Sequence, residues 1–151
     1  MNKVEYIEHT ADIGIKVYAN NLSALFVYAA KGMFSIIYEE LDTLQQITSP
    51  EKSVKIETTG GDYETLLISW LNELLYYSSV EKVLFYKFNI LYLTTPAANE
   101  GNFSLSAEAF GKKLSSLGIK PHIEIKAATY HKLKITHTTE GIHCAEIYFD
   151  V

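Results

Sequence analysis

Residues 123–135 read IEIKAATYHKLKI, a run in which apolar and polar side chains alternate. Ile125, Leu133 and Ile135 are at odd positions, and most even positions carry charged or polar groups. Because successive side chains of a strand point to opposite faces, the pattern predicts a β-strand with one apolar and one hydrated face. The parity of His131 predicts an inward-pointing histidine whose ring is hydrogen-bonded in the core.

The end of the chain repeats this alternation. Ala145, Ile147 and Phe149 share one parity, whereas Tyr148 and Asp150 share the other, which predicts a second half-buried strand. Five further segments have the composition and spacing of strands: residues 3–8, 12–19, 54–58, 83–95 and 102–110.

Two segments instead carry apolar residues at helical spacing. Residues 22–38 follow Asn21, and residues 63–79 follow Asp62, and both Asn and Asp are favourable N-cap residues. Two helices and about seven strands predict an α+β, two-layer fold, with the helices packed on one face of a largely antiparallel sheet. The length of 151 residues predicts a single domain covering residues 1–151.

The charge composition bears on the partners. The chain has a net charge of -5, and all 13 of its basic residues are lysine. Nucleic-acid-binding surfaces are usually basic and rich in arginine, so direct binding of DNA or RNA is disfavoured. The single cysteine, Cys144, excludes an internal disulfide and a thiolate zinc site. Together with the absence of a long apolar segment, this predicts a cytoplasmic protein that does not enter a membrane.

Strand parity also places several polar residues on the hydrated face. Asp12, Lys126 and Asp150 point away from the predicted core, and Tyr130 and Tyr148 do so too. If their strands are neighbours, this face combines carboxylates, a lysine and aromatic rings, a composition typical of an interaction surface. The alternative is that these residues are exposed separately, and parity alone does not decide between the two.

The two acids suggest a metal site. Main-chain and terminal oxygens of Val151 adjoin Asp150, and pairing of the first and last strands would bring Asp12 close. Carboxylate and carbonyl oxygens favour a hard cation such as Ca²⁺, whereas Zn²⁺ prefers histidine or thiolate. His9 is a candidate for supporting this site from outside the ligand shell. The alternative is two unrelated surface acids at strand ends.

Four stretches of the sequence together resemble the archease family. They are EHTADIGI at residues 8–15, SWLNELLYY at 69–77, EIKAATYHKLKI at 124–135 and FDV at 149–151. Their order and spacing match across essentially the whole chain. The resemblance implies a small acidic α+β protein that activates an RtcB-type tRNA-splicing RNA ligase without being a ligase itself.

For the ligase, the resemblance implies faster guanylylation of its active-site histidine, multiple turnover and use of more nucleoside triphosphates. Contact with tRNA would be indirect, through the ligase. The resemblance also implies a calcium site formed by Asp12, Asp150 and Val151, and it places Lys126 at the same functional end. Tyr130 belongs to the same motif as Lys126, so we include it among the partner-contacting residues.

The residues leave two alternative functions open. A general protein-folding modulator would use the tyrosine-rich face without specificity for one client. A metal-dependent phosphoester hydrolase would use Asp12, Asp150 and His9 and would turn over substrate without a partner. The chain contains no GxSxG elbow, Walker A loop or GxGxxG fingerprint, so we expect no catalytic residues.

Overall fold

The structure, a computed structural model, describes residues 1–8, 13–47, 49–96 and 101–151. Seven strands occur in this part of the chain: β1 (Lys3–Glu8), β2 (Ile13–Ala19), β3 (Lys52–Gly60), β4 (Val83–Thr94), β5 (Phe103–Lys113), β6 (Ala127–His137) and β7 (His143–Asp150). It also contains four helices: α1 (Leu22–Ile37), α2 (Leu41–Ile47), α3 (Tyr63–Glu81) and α4 (Leu114–Leu117). The predicted α+β class is confirmed, and the short helices α2 and α4 are additions to it.

The strands form two antiparallel sheets, where the sequence pattern predicts one. The first sheet has the order β1-β2-β7-β6, and the second has the order β3-β5-β4. Helices α1 and α3 both contact strands of both sheets, so one shared core lies beneath them. Strand alternation indicates which residues face the core, but it does not indicate which strands pair. The pattern of alternation therefore could not predict the number of sheets.

The two long helices begin where their cap residues predict. The side-chain oxygen of Asn21 accepts a hydrogen bond from the Ala24 amide at 2.8 Å, and that of Asp62 accepts one from the Thr65 amide at 2.7 Å. The helices are joined by the Trp70 indole, which donates to the Phe26 carbonyl oxygen at 3.0 Å. No helix in the described ranges is both long and apolar enough to cross a membrane.

Strand β6 is an edge strand, and α3 covers its open side. The Asn72 side chain makes two hydrogen bonds with the Ala128 backbone. Its Oδ1 atom accepts from the Ala128 N–H at 2.8 Å, and its Nδ2 atom donates to the Ala128 carbonyl oxygen at 3.3 Å. Farther along, the Ile135 N–H donates to Glu64 Oε1 at 3.4 Å. These contacts occupy backbone groups that an uncovered edge would leave open to another strand.

A bulge interrupts the pairing of β6 with β7. Four residues of β6, 130–133, lie between the paired positions Thr129 and Lys134, whereas one residue of β7, Ile147, lies between their partners Tyr148 and Glu146. Within the bulge Lys132 has a φ of 55°, in the left-handed region. Because the number of inserted residues is odd, the strand presents opposite parities to the core before and after the bulge.

The bulge accounts for two departures from the burial predicted from the sequence. Ala128 is buried before the bulge, and Leu133 and Ile135 pack against the core after it. His131 is exposed, so the predicted inward histidine is wrong. Tyr148 lies on the outer face as predicted, but its side chain is only 4% exposed. The His131 ring packs edge-on against the Tyr148 ring, with 5.6 Å between the ring centroids, and covers it.

Residues preceding β6 and following β5 also differ from their predicted states. β6 begins at Ala127, so residues 123–126 precede the strand and Lys126 lies just outside it. Residues 111–122 include two glycines, three lysines and Pro121, a composition that predicts a mobile surface loop. The first of these residues instead complete β5, and α4 follows them directly.

Candidate functional site

Lys126 and Asp150 meet at one end of the four-stranded sheet. The Lys126 backbone N–H donates to the Asp150 carbonyl oxygen at 2.8 Å, and Ala127 pairs with Asp150 across the two strands. Both side chains are exposed, as predicted, and Val151 is 50% exposed beside them. We call this group of Lys126, Asp150 and Val151 the sheet-end site.

Strand β2 begins beside the same sheet end. Ile13 pairs with Phe149, the residue before Asp150, so β2 starts where β7 finishes. The first strand, β1, pairs with β2 and not with β7, so it is the second strand that brings the start of the chain to its end. Asp12 and His9, the two other residues predicted for this site, lie outside the described residues.

The helical residue Asn72 fixes one side of the sheet-end site. Its two hydrogen bonds to the Ala128 backbone hold the start of β6 against α3, two residues from Lys126. The opposite side of this segment is held by the bond between Lys126 and Asp150. The backbone that carries Lys126 is thus restrained from both sides. Asn72 is not among the site residues predicted from the sequence, although it is the one side-chain amide in α3.

The Asp150 carboxylate is available to bind a ligand. Within the described ranges it has neither an ion pair nor a hydrogen-bonded side chain. The other donors here are main-chain oxygens, so the chemistry fits a hard cation better than a transition metal. No three His, Cys, Asp or Glu side chains form a metal cluster among the described residues, which do not include Asp12.

The bulge of β6 presents aromatic side chains next to the sheet-end site. Tyr130 is 59% exposed, in agreement with its predicted outward position. The Thr129 hydroxyl donates to the Tyr148 carbonyl oxygen at 3.0 Å and accepts from the His131 N–H at 3.3 Å, which anchors the start of the bulge.

Tyr148 forms the floor beneath the bulge. Its hydroxyl donates to Glu146 Oε1 at 2.5 Å, and the Lys132 Nζ atom lies 5.7 Å from its ring centroid. Gly14 on β2 leaves room for the ring, because a Cβ there would lie 2.9 Å from the Tyr148 side chain. Tyr148 is therefore a packing residue on the outer face, and Tyr130 is the ring available to a partner.

Two grooves flank the sheet-end site. One, of about 430 Å³, lies between α3 and residues 124–127, and its lining includes Lys126, Asn72 and Tyr76. Tyr76 is 60% exposed there. The other, of about 420 Å³, runs from β1 and β2 to the end of α1. Its lining is mostly apolar and also includes three acids and one histidine: Glu8, Glu39, Asp42 and His122.

The environment of the single cysteine disfavours its thiolate form. Cys144 is half-buried, and burial raises the pKa of its thiol above the ordinary value. Its thiolate fraction near neutral pH is correspondingly small. On the same face, a hydrogen bond with Tyr18 raises the pKa of Lys16, so this lysine stays charged.

Comparison with known proteins identifies the class to which this fold and sheet end belong. Residues 4–151 match the model of the "Archease protein family (MTH1598/TM1083)". Protein archease of Methanosarcina acetivorans is 37% identical over 139 residues, covering 92% of this chain and 90% of that protein. Protein archease of Pyrococcus furiosus is 34% identical, with full coverage of both chains.

Solved structures agree with this match. The solution structure of protein 1598 of Methanobacterium thermoautotrophicum superimposes with a TM-score of 0.79 at 27% identity, covering 98% of each chain. The crystal structure of an archease from Thermotoga maritima, described as a possible chaperone, has a TM-score of 0.57 at 19% identity. It covers 97% of this chain and 96% of that one, and it supports the fold alone. The chain belongs to the archease family, which confirms the resemblance seen in the sequence.

Proposed function

We propose that this chain is a non-catalytic activator of an RtcB-type RNA ligase. It promotes guanylylation of the ligase's active-site histidine, supports multiple turnover and broadens the range of nucleoside triphosphates used. The ligase then joins an RNA end with a 2′,3′-cyclic phosphate or 3′-phosphate to a 5′-hydroxyl end. RNA is contacted through the ligase, in keeping with a chain of net charge -5 that lacks arginine.

The observation that carries this proposal is the restrained pair at the sheet end. Lys126 and Asp150 have exposed side chains on adjacent, hydrogen-bonded segments, and Asn72 fixes the backbone beside them. Two opposite charges carried on a restrained backbone at an open surface are suited to recognise a partner's charged groups. The raised pKa of the Cys144 thiol further favours a role without covalent catalysis.

A divalent cation, Ca²⁺ foremost, belongs to this proposal. Asp12, Asp150 and the Val151 carbonyl oxygen would hold it, and the oxygen donors at the described end of the sheet fit such an ion. When bound, the cation supplies positive charge to phosphate or carboxylate groups of the ligase complex. His9 supports these ligands from outside the coordination shell.

The side chains of this chain act by positioning. Lys126 pairs with a phosphate or with a ligase carboxylate, and Tyr130 packs against the ligase surface beside it. The groove next to Lys126 receives part of that surface, with Tyr76 on its rim. The gain in guanylylation comes from holding the ligase's nucleotide site in a productive arrangement, because correct placement of reactants lowers the barrier without a new nucleophile.

Reconstitution with the cognate ligase tests this proposal. We expect substoichiometric wild-type protein to sustain ligation over many cycles, whereas Lys126→Ala and Asp150→Asn lower the multiple-turnover rate by about tenfold or more, equivalent to about 1.4 kcal/mol. Lys55 and Glu57 provide matched controls, since they form an exposed ion pair at 3.2 Å on the other sheet. Lys55→Ala and Glu57→Gln should retain full activity. Wild-type rates in both sheet-end variants would refute the assigned roles.

A second candidate is a general protein-folding modulator. Exposed tyrosines favour it, because Tyr6, Tyr76, Tyr92 and Tyr130 are each more than half exposed. Such a protein would suppress aggregation of unrelated clients as well as it aids the ligase. A phosphoester hydrolase, the third possibility, would turn over substrate alone with Ca²⁺, Mg²⁺ or Mn²⁺. Light scattering with unrelated clients and a phosphoester screen therefore separate all three functions.

A further inference from the structure

The closed end of the β6–β7 hairpin carries two histidines directly opposite each other. His137 and His143 are cross-strand partners, and their rings stack with centroids 5.6 Å apart and planes inclined by 20°. Nothing in the proposed ligase function uses them. They lie one residue outside the turn that joins the two strands.

The turn holds this histidine pair in place. The Thr138 N–H donates to the Ile142 carbonyl oxygen at 2.8 Å, and the Gly141 N–H donates to the Thr138 carbonyl oxygen at 3.0 Å. Because Thr138 and Ile142 face each other across a hydrogen bond, the neighbouring pair of histidines occupies a non-hydrogen-bonded position. At such positions the Cα atoms approach to about 4.5 Å and the side chains are closest.

Both imidazoles are free to take a ligand. Within the described ranges neither ring has a hydrogen bond or an ion pair, and their only ring contact is with each other. His137 is exposed and His143 is half-buried, so the pair is open to solvent on one side. In the stacked arrangement the nitrogen lone pairs run side by side, so both rings turn about their side-chain torsions when a nitrogen of each binds the same ion at about 2.0–2.1 Å. Two unpaired imidazoles on directly opposite positions of a hairpin can then share a divalent transition-metal ion.

We propose that His137 and His143 form a binding site for a borderline divalent transition-metal ion, with Zn²⁺ as the expected ion. The two imidazole nitrogens are its protein ligands, and water completes the coordination. No third His, Cys, Asp or Glu joins the pair among the described residues. The bound ion links the two strands next to the turn and stabilises the hairpin by an amount that rises with the logarithm of the Zn²⁺ concentration above Kd.

This histidine site is separate from the sheet-end site. Strand β7 has 8 residues, with His143 at its start and Asp150 at its end. At about 3.3 Å per residue the two positions are roughly 23 Å apart, too far to share one ion. Their chemistry differs as well, because oxygen donors select a hard cation and imidazoles select a borderline one.

Titration calorimetry of the untagged protein with Zn²⁺ tests the site. We expect one ion bound at the histidine pair, and a loss of affinity of at least about tenfold in His137→Gln and in His143→Gln, since even outer-shell changes cost about 10- to 100-fold. His131→Gln is the matched control, as His131 is an exposed histidine on the same strand. Asp150→Asn separates the two sites and should leave this binding unchanged.

Electron paramagnetic resonance with Cu²⁺ provides an independent measurement. Hyperfine coupling to two imidazole nitrogens should appear in the wild-type protein and be reduced to one nitrogen in either glutamine variant. Circular dichroism in the presence of a chelator should give the same fold for all variants. Zn²⁺ binding that is unchanged in both glutamine variants, or Cu²⁺ bound without two nitrogens, would overturn the proposal.

Discussion

Strands β6 and β7 belong to one hairpin and alternate equally well in sequence, yet only β7 keeps a single parity throughout. In β7, Ala145, Ile147 and Phe149 are all buried. In β6 the buried parity changes across a bulge between Thr129 and Lys134. The cause lies in their places in the sheet, because β7 is hydrogen-bonded to a strand on each side and β6 on one side only. A bulge in β7 would disrupt two ladders, whereas in β6 it disrupts one.

The same contrast separates the packed residues of the hairpin from those proposed to contact a partner. The bulge places Tyr130 and His131 on the exposed surface a few residues from Lys126. Bulges often occur next to functional sites, where they turn a side chain toward a ligand or partner. The regular strand supplies the packed support, and the residues proposed to contact a partner lie on or beside the irregular edge strand.

The largest expected difference is in how much stability the protein loses when an isoleucine of β7 or of β6 is replaced by alanine. Ile147→Ala in β7 should lower the free energy of unfolding by about 2–5 kcal/mol, because its side chain is 0% exposed. Ile135→Ala in β6 should cost about 1–2 kcal/mol, since that side chain is only partly buried. Urea denaturation measures both. Equal losses would contradict the view that β7 is the supporting strand.

Removing the hydrogen bonds by which α3 covers the edge strand β6 should have the next largest effect on stability. Asn72→Ala leaves the buried Ala128 backbone without two hydrogen bonds, and we expect a loss of about 1–3 kcal/mol. Hydrogen exchange at the Ala128 amide should rise in the same variant. Asn89→Ala, at an exposed position of β4, is the control and should change neither quantity.

The bulge itself is tested at Lys132, whose φ is 55°. Lys132→Val should destabilise the protein by about 1–2 kcal/mol, because a β-branched residue is strained in the left-handed region, whereas Lys132→Gly should be tolerated. Lys134→Val, at an exposed position just beyond the bulge, should stay within about 0.5 kcal/mol of wild type. Equal stability of Lys132→Val and Lys134→Val would show that the protein does not require the left-handed backbone at position 132.

The smallest expected effect is the pH dependence of the stability that the N-cap residue Asp62 contributes at the start of α3, the helix that covers β6. Hydrogen bonds from Thr65 lower the pKa of Asp62 below its ordinary value. The cap therefore stabilises the fold above the unfolded pKa of about 3.9, and this contribution is lost as the pH falls through the lower folded value. Asp62→Ala should cost about 1 kcal/mol at pH 7. Thermal melts should show this gap closing in acid, and a gap that persisted at pH 2 would exclude the carboxylate as its source.

Much of the fold could be predicted from local patterns. The strands β1 and β2, the helices α1 and α3 and the caps Asn21 and Asp62 lie close to their predicted places. Hydrophobic periodicity and capping depend on neighbouring residues, so they can be read along one segment. Asp150 is exposed as its parity predicts, whereas Lys126 precedes β6 and Tyr130 lies in the bulge, so their exposure does not arise from the predicted alternation. The proposed roles of all three rest on the experiments above.

The amino-acid sequence by itself determined the α+β class, the long helices and the family, because each depends on local patterns and on motif order. Only the tertiary structure decided that the strands divide into two sheets, that β6 bulges and exposes His131, and that Asn72 holds the Ala128 backbone. It also brought His137 against His143. These features depend on which strand lies at an edge and on contacts between distant residues, and alternation within one strand carries no information about either.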